Sequence, residues 1–116
     1  MKRRILNYGH DKSLLDIRGE LVRSAGFDVL CAYTREEVEK LIEAGPADAL
    51  ILCHTVSAQE DEALLLKVKM LPHGIKTLVL NANKHDGFIS GDVPTVDVWN
   101  GPDALLKALR TLVAIP

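Results

Sequence analysis

The chain has 116 residues and two cysteines, long enough to bury a core without disulfide or metal staples. At 47% hydrophobic and 26% charged residues it has the make-up of an ordinary soluble globular domain. The formal net charge of −2 offers no global field to nucleic acid or an anionic membrane, and no run reaches the roughly 18 apolar residues of a membrane span. The apolar stretch after Arg4 stops at Asn7, too early for a secretory signal, so the expected compartment is the cytoplasm. Cys31 and Cys53 both lie inside apolar runs, where small buried thiols are common.

In chain order, the basic run Lys2, Arg3, Arg4 leads into a first strand over 4–8, and reads as the solvated start of that strand. A helix follows over 11–26, with Leu14, Ile17, Leu21, Val22 and Ala25 at helical spacing, Asp11 as its cap and Gly26 as its stop. The second strand covers 27–33. The next helix opens on Thr34 and Glu37 in capping-box spacing, buries Val38, Leu41 and Ile42, and closes at Gly45-Pro46. Residues 48–53, "DALILC", are nearly continuous apolar sequence, as expected of a strand covered on both faces. Ser57 and Glu60 give a second capping box for a helix running to about Leu71, stopped by Pro72-His73-Gly74. Strands are expected over 76–81 and 94–99. Pro102 suits the first turn of a last helix whose stripe is Leu105, Leu106, Leu109 and Leu112. Between strands four and five, "ANKHDGFISGDV" lacks helical periodicity, so the fourth helix is expected to be short or missing.

This alternation argues for one domain over 1–116, a doubly wound α/β/α sandwich with a parallel sheet. In the flavodoxin-like order 2-1-3-4-5, the ligand crevice lies beyond the carboxyl ends of strands one and three, where the strand order reverses. Gly9, His10 and Asp11 fall there after strand one, and Cys53, His54 and Thr55 after strand three, with Asn81 flanking them. Three chemistries suit these residue types. His10, Cys53 and His54 are possible zinc ligands, with Asp11 as a possible fourth, but no pair has C-x-x-C or H-x-x-x-H spacing, and neighbours such as Cys53 and His54 tend to point apart at a strand end. Cys53 with His10 as base is a possible nucleophile, which requires the two side chains to meet, and nothing marks an oxyanion hole. The simplest alternative makes Cys53 an apolar strand-end residue and the histidines solvent-facing, His73 and His85 included. No G-x-G-x-x-G or G-x-x-x-x-G-K-[ST] follows the first strand, and basic and aromatic residues do not interleave on any predicted face.

Over essentially its whole length the chain resembles a receiver domain of a two-component response regulator, with the CheY-like variant of this fold. The resemblance runs through "RILNYGHDKSLLDIRGELVRSAGFDVLCAYTREEVEKLIEAGPADALILCHTV", "KTLVLNA" and "GPDALLKALRTL". It is carried by the hydrophobic pattern, and the active positions depart from it. Receivers hold Mg²⁺ with an acid pair after strand one; here Gly9 and His10 stand at those positions, followed by Asp11. The phospho-accepting aspartate aligns with Cys53, beside His54, and the hydroxyl residue closing strand four with Asn81. The lysine after strand five falls at Val98, and no lysine lies between Asp86 and Lys107. The resemblance therefore implies an atypical pseudo-receiver: no enzyme, no cofactor, no resident metal, and signalling through protein contact without aspartyl phosphate. Its partner would be a histidine kinase, an output protein or a second receiver, with a homodimer among the options. Trp99 is a candidate for the contact surface. A second resemblance is to cobalamin-binding domains, with His10 at the cobalt-ligating histidine. The D-x-H-x-x-G motif reads Tyr8-Gly9-His10-Asp11-Lys12-Ser13 here, without its acid or its final glycine.

Overall fold

The computed structural model describes residues 3–45, 47–71, 75–81, 95–97 and 101–113. Along the chain these form β1 (Arg4–Tyr8), α1 (Lys12–Ser24), β2 (Asp28–Ala32), α2 (Arg35–Ala44), β3 (Ala49–Leu52), α3 (Ala58–Lys69), β4 (Lys76–Asn81), β5 (Thr95–Asp97) and α4 (Pro102–Val113). The sheet is parallel throughout. Its longer strands take the expected order 2-1-3-4, and β5, only three residues long, pairs along the outer side of β4. The expectation of a short or missing helix after β4 falls on residues 82–94, outside the described residues, as do His73, His85, Val98 and Trp99.

The period-two alternation of the strands feeds two cores, one on each face of the sheet. Leu6, Tyr8, Leu50 and Leu52 pack with Val38 and Ile42 of α2 and Leu64 of α3. Ile5, Ala49, Ile51, Leu78 and Leu80 pack on the other face, with Val22 of α1 and Leu105 and Leu109 of α4. At the amino ends of the strands, Arg3 pairs with Asp48 at 3.4 Å and Arg4 with Asp28 at 3.7 Å. Arg3 and Arg4 are thus held at the sheet rim opposite the expected crevice. No helix among the described residues is long and apolar enough to cross a membrane.

One expected stripe is corrected. α1 buries Leu15, Gly19 and Val22; of the expected stripe Val22 is buried and Leu21 and Ala25 pack partly buried against the core, whereas Ile17 is 69% exposed. The reason is Gly19: a Cβ there would stand 3.0 Å from Cys31 Sγ and 3.6 Å from Asn7 Nδ2. A mid-helix glycine costs about 1 kcal/mol against alanine, but here it lets the helix lie close on the sheet, with Leu15 and Val22 to either side. Ile17 turns outward to the flank, while Leu21 stays packed at the edge of the core. Asn7, fully buried beneath this contact, donates from Nδ2 to the Leu15 carbonyl at 3.1 Å.

Candidate functional site

The carboxyl edge of the sheet is built by main-chain bonds that prolong the ladders past the strands themselves. Cys53 N donates to Tyr8 O at 2.9 Å, and Gly9 N to Ala32 O at 3.2 Å. These bonds press the two post-strand segments together so closely that a Cβ on Gly9 would lie 2.6 Å from Cys53 Cβ. Gly9, His10, Asp11, Cys53 and His54 therefore share one rim. Asn81 closes β4 there, its backbone opposite Asp97 of β5, while Val98 lies outside the described residues.

Within that rim the side chains divide into two groups. His10 turns toward α3: its Nε2 is 2.9 Å from Glu60 Oε1 and 3.3 Å from Tyr8 Oη, while its Nδ1 is 3.3 Å from the Tyr33 carbonyl. Tyr8, whose ring is fully buried, donates its hydroxyl to the same Glu60 oxygen at 2.7 Å. The backbone N–H of His10 donates to Thr55 Oγ1 at 3.1 Å. Cys53, 1% exposed, turns toward α1 instead. There Arg18 Nη1 donates to its sulfur at 3.0 Å, and His54 Nδ1 is 3.7 Å away. The meeting of His10 with Cys53 that nucleophilic catalysis requires is absent from the hydrogen bonds of the described residues. In contrast to the expectation that Cys53 and His54 point apart, the two approach each other, because the turn after β3 brings the imidazole back over the thiol.

The electrostatics follow from these partners. Burial, with the Arg18 guanidinium as a second cause, holds His54 below the usual histidine range despite the opposing pull of Asp11. Burial alone would raise the Glu60 carboxyl, but the bonds from Tyr8 and His10 outweigh it and hold the group below the usual glutamate range. Burial and then Glu60 push the Tyr8 hydroxyl well above its ordinary value. Next to Glu60, Asp61 is only 4% exposed, its Oδ1 has no partner, and burial followed by Glu60 pushes its carboxyl up to about 7.

Glu60 and Arg18 are the residues that sequence reasoning missed. Glu60 reads as the second half of a capping box, yet only the Ser57 half forms, with Glu60 N donating to Ser57 Oγ at 3.2 Å. Its carboxylate serves the site instead. At the other helix start, Thr34 and Glu37 make the full reciprocal box. Arg18 lies one position from an exposed isoleucine, and nothing in its spacing marks it as reaching β3.

The residues present do not fit a Mg²⁺ ion of the receiver kind. That ion needs hard oxygen ligands, and the one nearby acid after β1, Asp11, is spent as the α1 cap, accepting from Leu14 N at 3.1 Å. Next to Cys53 stands a guanidinium, which repels a second cation. Among the described residues no three His, Cys, Asp or Glu side chains gather as metal ligands. A metal or cobalt centre on His10 would have to displace Glu60 or the Tyr33 carbonyl, since both ring nitrogens already face oxygen atoms.

No protein-family profile matches the sequence, and no curated protein matches it. Solved structures do resemble the fold. A response regulator receiver domain (CheY-like) from Methylobacillus flagellatus superposes with a TM-score of 0.83 at 14% identity, covering 97% of this chain and 99% of that one. A CheY-like receiver domain protein from Methanospirillum hungatei JF-1 gives 0.80 at 20% identity, over 97% and 94%. A signal receiver domain from Bermanella marisrubri gives 0.83 at 14% identity, over 98% and 100%. The chain has the parallel α/β fold of CheY-like receiver domains.

Proposed function

We propose that this chain is an atypical receiver that passes signals by protein–protein contact, without aspartyl phosphorylation and without catalysis of its own. The observation that supports this reading is the occupant of the β3 terminus. Phosphoryl transfer to a receiver needs a carboxylate nucleophile, a divalent cation on hard oxygen ligands, and cations on the phosphoryl oxygens. The terminus instead carries Cys53, buried, packed against Gly9 and bonded by Arg18. In this reading Gly9, His10, Asp11, Cys53, His54, Asn81 and Val98 are the remains of a phosphorylation pocket. The partner is a histidine kinase, an output protein or a second receiver, met in the cytoplasm.

The test is mass spectrometry of the full chain after incubation with Mg²⁺ and a small-molecule phosphodonor, beside a phosphorylatable receiver as positive control. The unmodified mass is expected. A phosphate adduct on this chain would overturn the reading, whichever residue carried it.

A further inference from the structure

A groove of about 180 Å³ opens between α1 and α4 on the flank of the molecule. Its walls are Leu14, Ile17 and Leu21 of α1 together with Leu80, Val96 and Leu105. Arg18 is the one charged side chain among the described residues that line it. The sole hydrogen bond that Arg18 makes among the described residues is to Cys53 sulfur, a weak acceptor, and no carboxylate among them lies within ion-pairing distance. A guanidinium carries five N–H donors in a planar fork that suits a carboxylate in two-point contact. The groove thus combines apolar walls with a cation whose donors have, among the described residues, only that one sulfur acceptor, a combination complementary to an organic anion with an apolar body.

Size narrows the ligand further. A cavity of about 150 Å³ lined by aliphatic and aromatic side chains accommodates benzene, so this groove matches one aromatic ring with its anionic group at Arg18. A single cation is a poor match for a polyphosphate. We propose that the groove binds a monocyclic aromatic carboxylate, with the ring against Leu14, Leu80 and Leu105 and the carboxylate on Arg18. Because Arg18 also holds Cys53, such a ligand would sit one side chain away from the β3 terminus. The proposal does not depend on the signalling reading above, and it stands or falls on binding alone.

The experiment is an amide chemical-shift titration of the full chain with benzoate, benzyl alcohol and benzylamine in parallel. Benzoate is expected to shift amides of α1 and α4 saturably, with a dissociation constant on the order of 0.1–1 mM. Benzyl alcohol should bind about tenfold more weakly and benzylamine more weakly still. Arg18→Met, which keeps the aliphatic stem, should reduce benzoate binding to the level of benzyl alcohol, and Arg18→Lys should restore part of it. Equal binding of the three ligands by the natural chain, or no saturable shift with benzoate, would overturn the proposal without recourse to any variant. Unchanged benzoate binding by a folded Arg18→Met protein would do the same.

Discussion

Gly9 illustrates how one residue can be fixed by its neighbour rather than by its own conformation. Its backbone lies outside the left-handed region that favours glycine, and the constraint is the Cys53 Cβ at 2.6 Å from where a side chain would begin. Both atoms sit directly on main chain, so no rotamer change relieves the contact. Gly9→Ala should lose about 1–3 kcal/mol of stability in urea unfolding, as overpacked sites do. Asp61 offers a test at the same scale with a defined sign. Its carboxyl titrates near 7 when folded, whereas an unfolded aspartate titrates near 3.8. Between those values the folded state keeps a proton that the unfolded state has released, so stability is full below about pH 4 and falls as pH rises toward 7. Asp61→Asn removes that dependence. The variant's melting temperature should gain on the natural chain's from about pH 4 to about pH 7 and level off above that, and a gap that stays constant between pH 4 and pH 7 would count against the assignment. Asp61 was also legible in principle: it shares helical spacing with Leu64, Leu65 and Val68, which marks it as a buried position.

The elements themselves were read well because their signals are local. Asp11, Thr34 and Ser57 all cap the helices at whose starts they stand, and their backbones are extended as caps require. What spacing alone did not reveal was competition for a side chain. Glu60 has the position of a capping-box partner, but a tyrosine hydroxyl and an imidazole from β1 and the turn after it outbid the N-cap amide. The result is a tie between β1 and α3 that no local pattern encodes. Glu60→Ala should cost about 1–3 kcal/mol, because it leaves the buried Tyr8 hydroxyl without its carboxylate acceptor. The same substitution in a Tyr8→Phe background should cost less, and a double-mutant cycle by urea unfolding measures the difference. α1 shows the complementary lesson: large aliphatic side chains dominate a periodicity reading, yet the smallest residue on the helix, Gly19, decides which face meets the sheet.

For the whole molecule, the alternation of apolar runs and amphipathic helices was enough to set the layers and the strand reversal, because each crossover has only one sterically favoured hand. The fold also fixes which segments follow the strands at the carboxyl rim of the sheet. The pairing within that rim was not legible, since the division of His10 toward Glu60 and Cys53 toward Arg18 depends on residues brought from α1 and α3. With a guanidinium rather than clustered carboxylates beside the β3 terminus, the fold has no like-charge repulsion there for a divalent cation to relieve. Millimolar Mg²⁺ should leave the melting temperature unchanged, and a clear rise on titration by scanning calorimetry would contradict this. The close approach of Gly9 to Cys53 also bears on how such a protein can change over generations. Any residue at position 53 other than glycine keeps a Cβ, so an acid introduced at position 9 first meets that atom before it can serve any metal. Equally, an acid introduced first at position 53 would find no second carboxylate after β1 but the one capping α1. An acid placed singly at position 9 or at position 53 therefore gives a protein that is strained or lacks a second carboxylate after β1, so neither substitution alone would build a divalent-cation pocket.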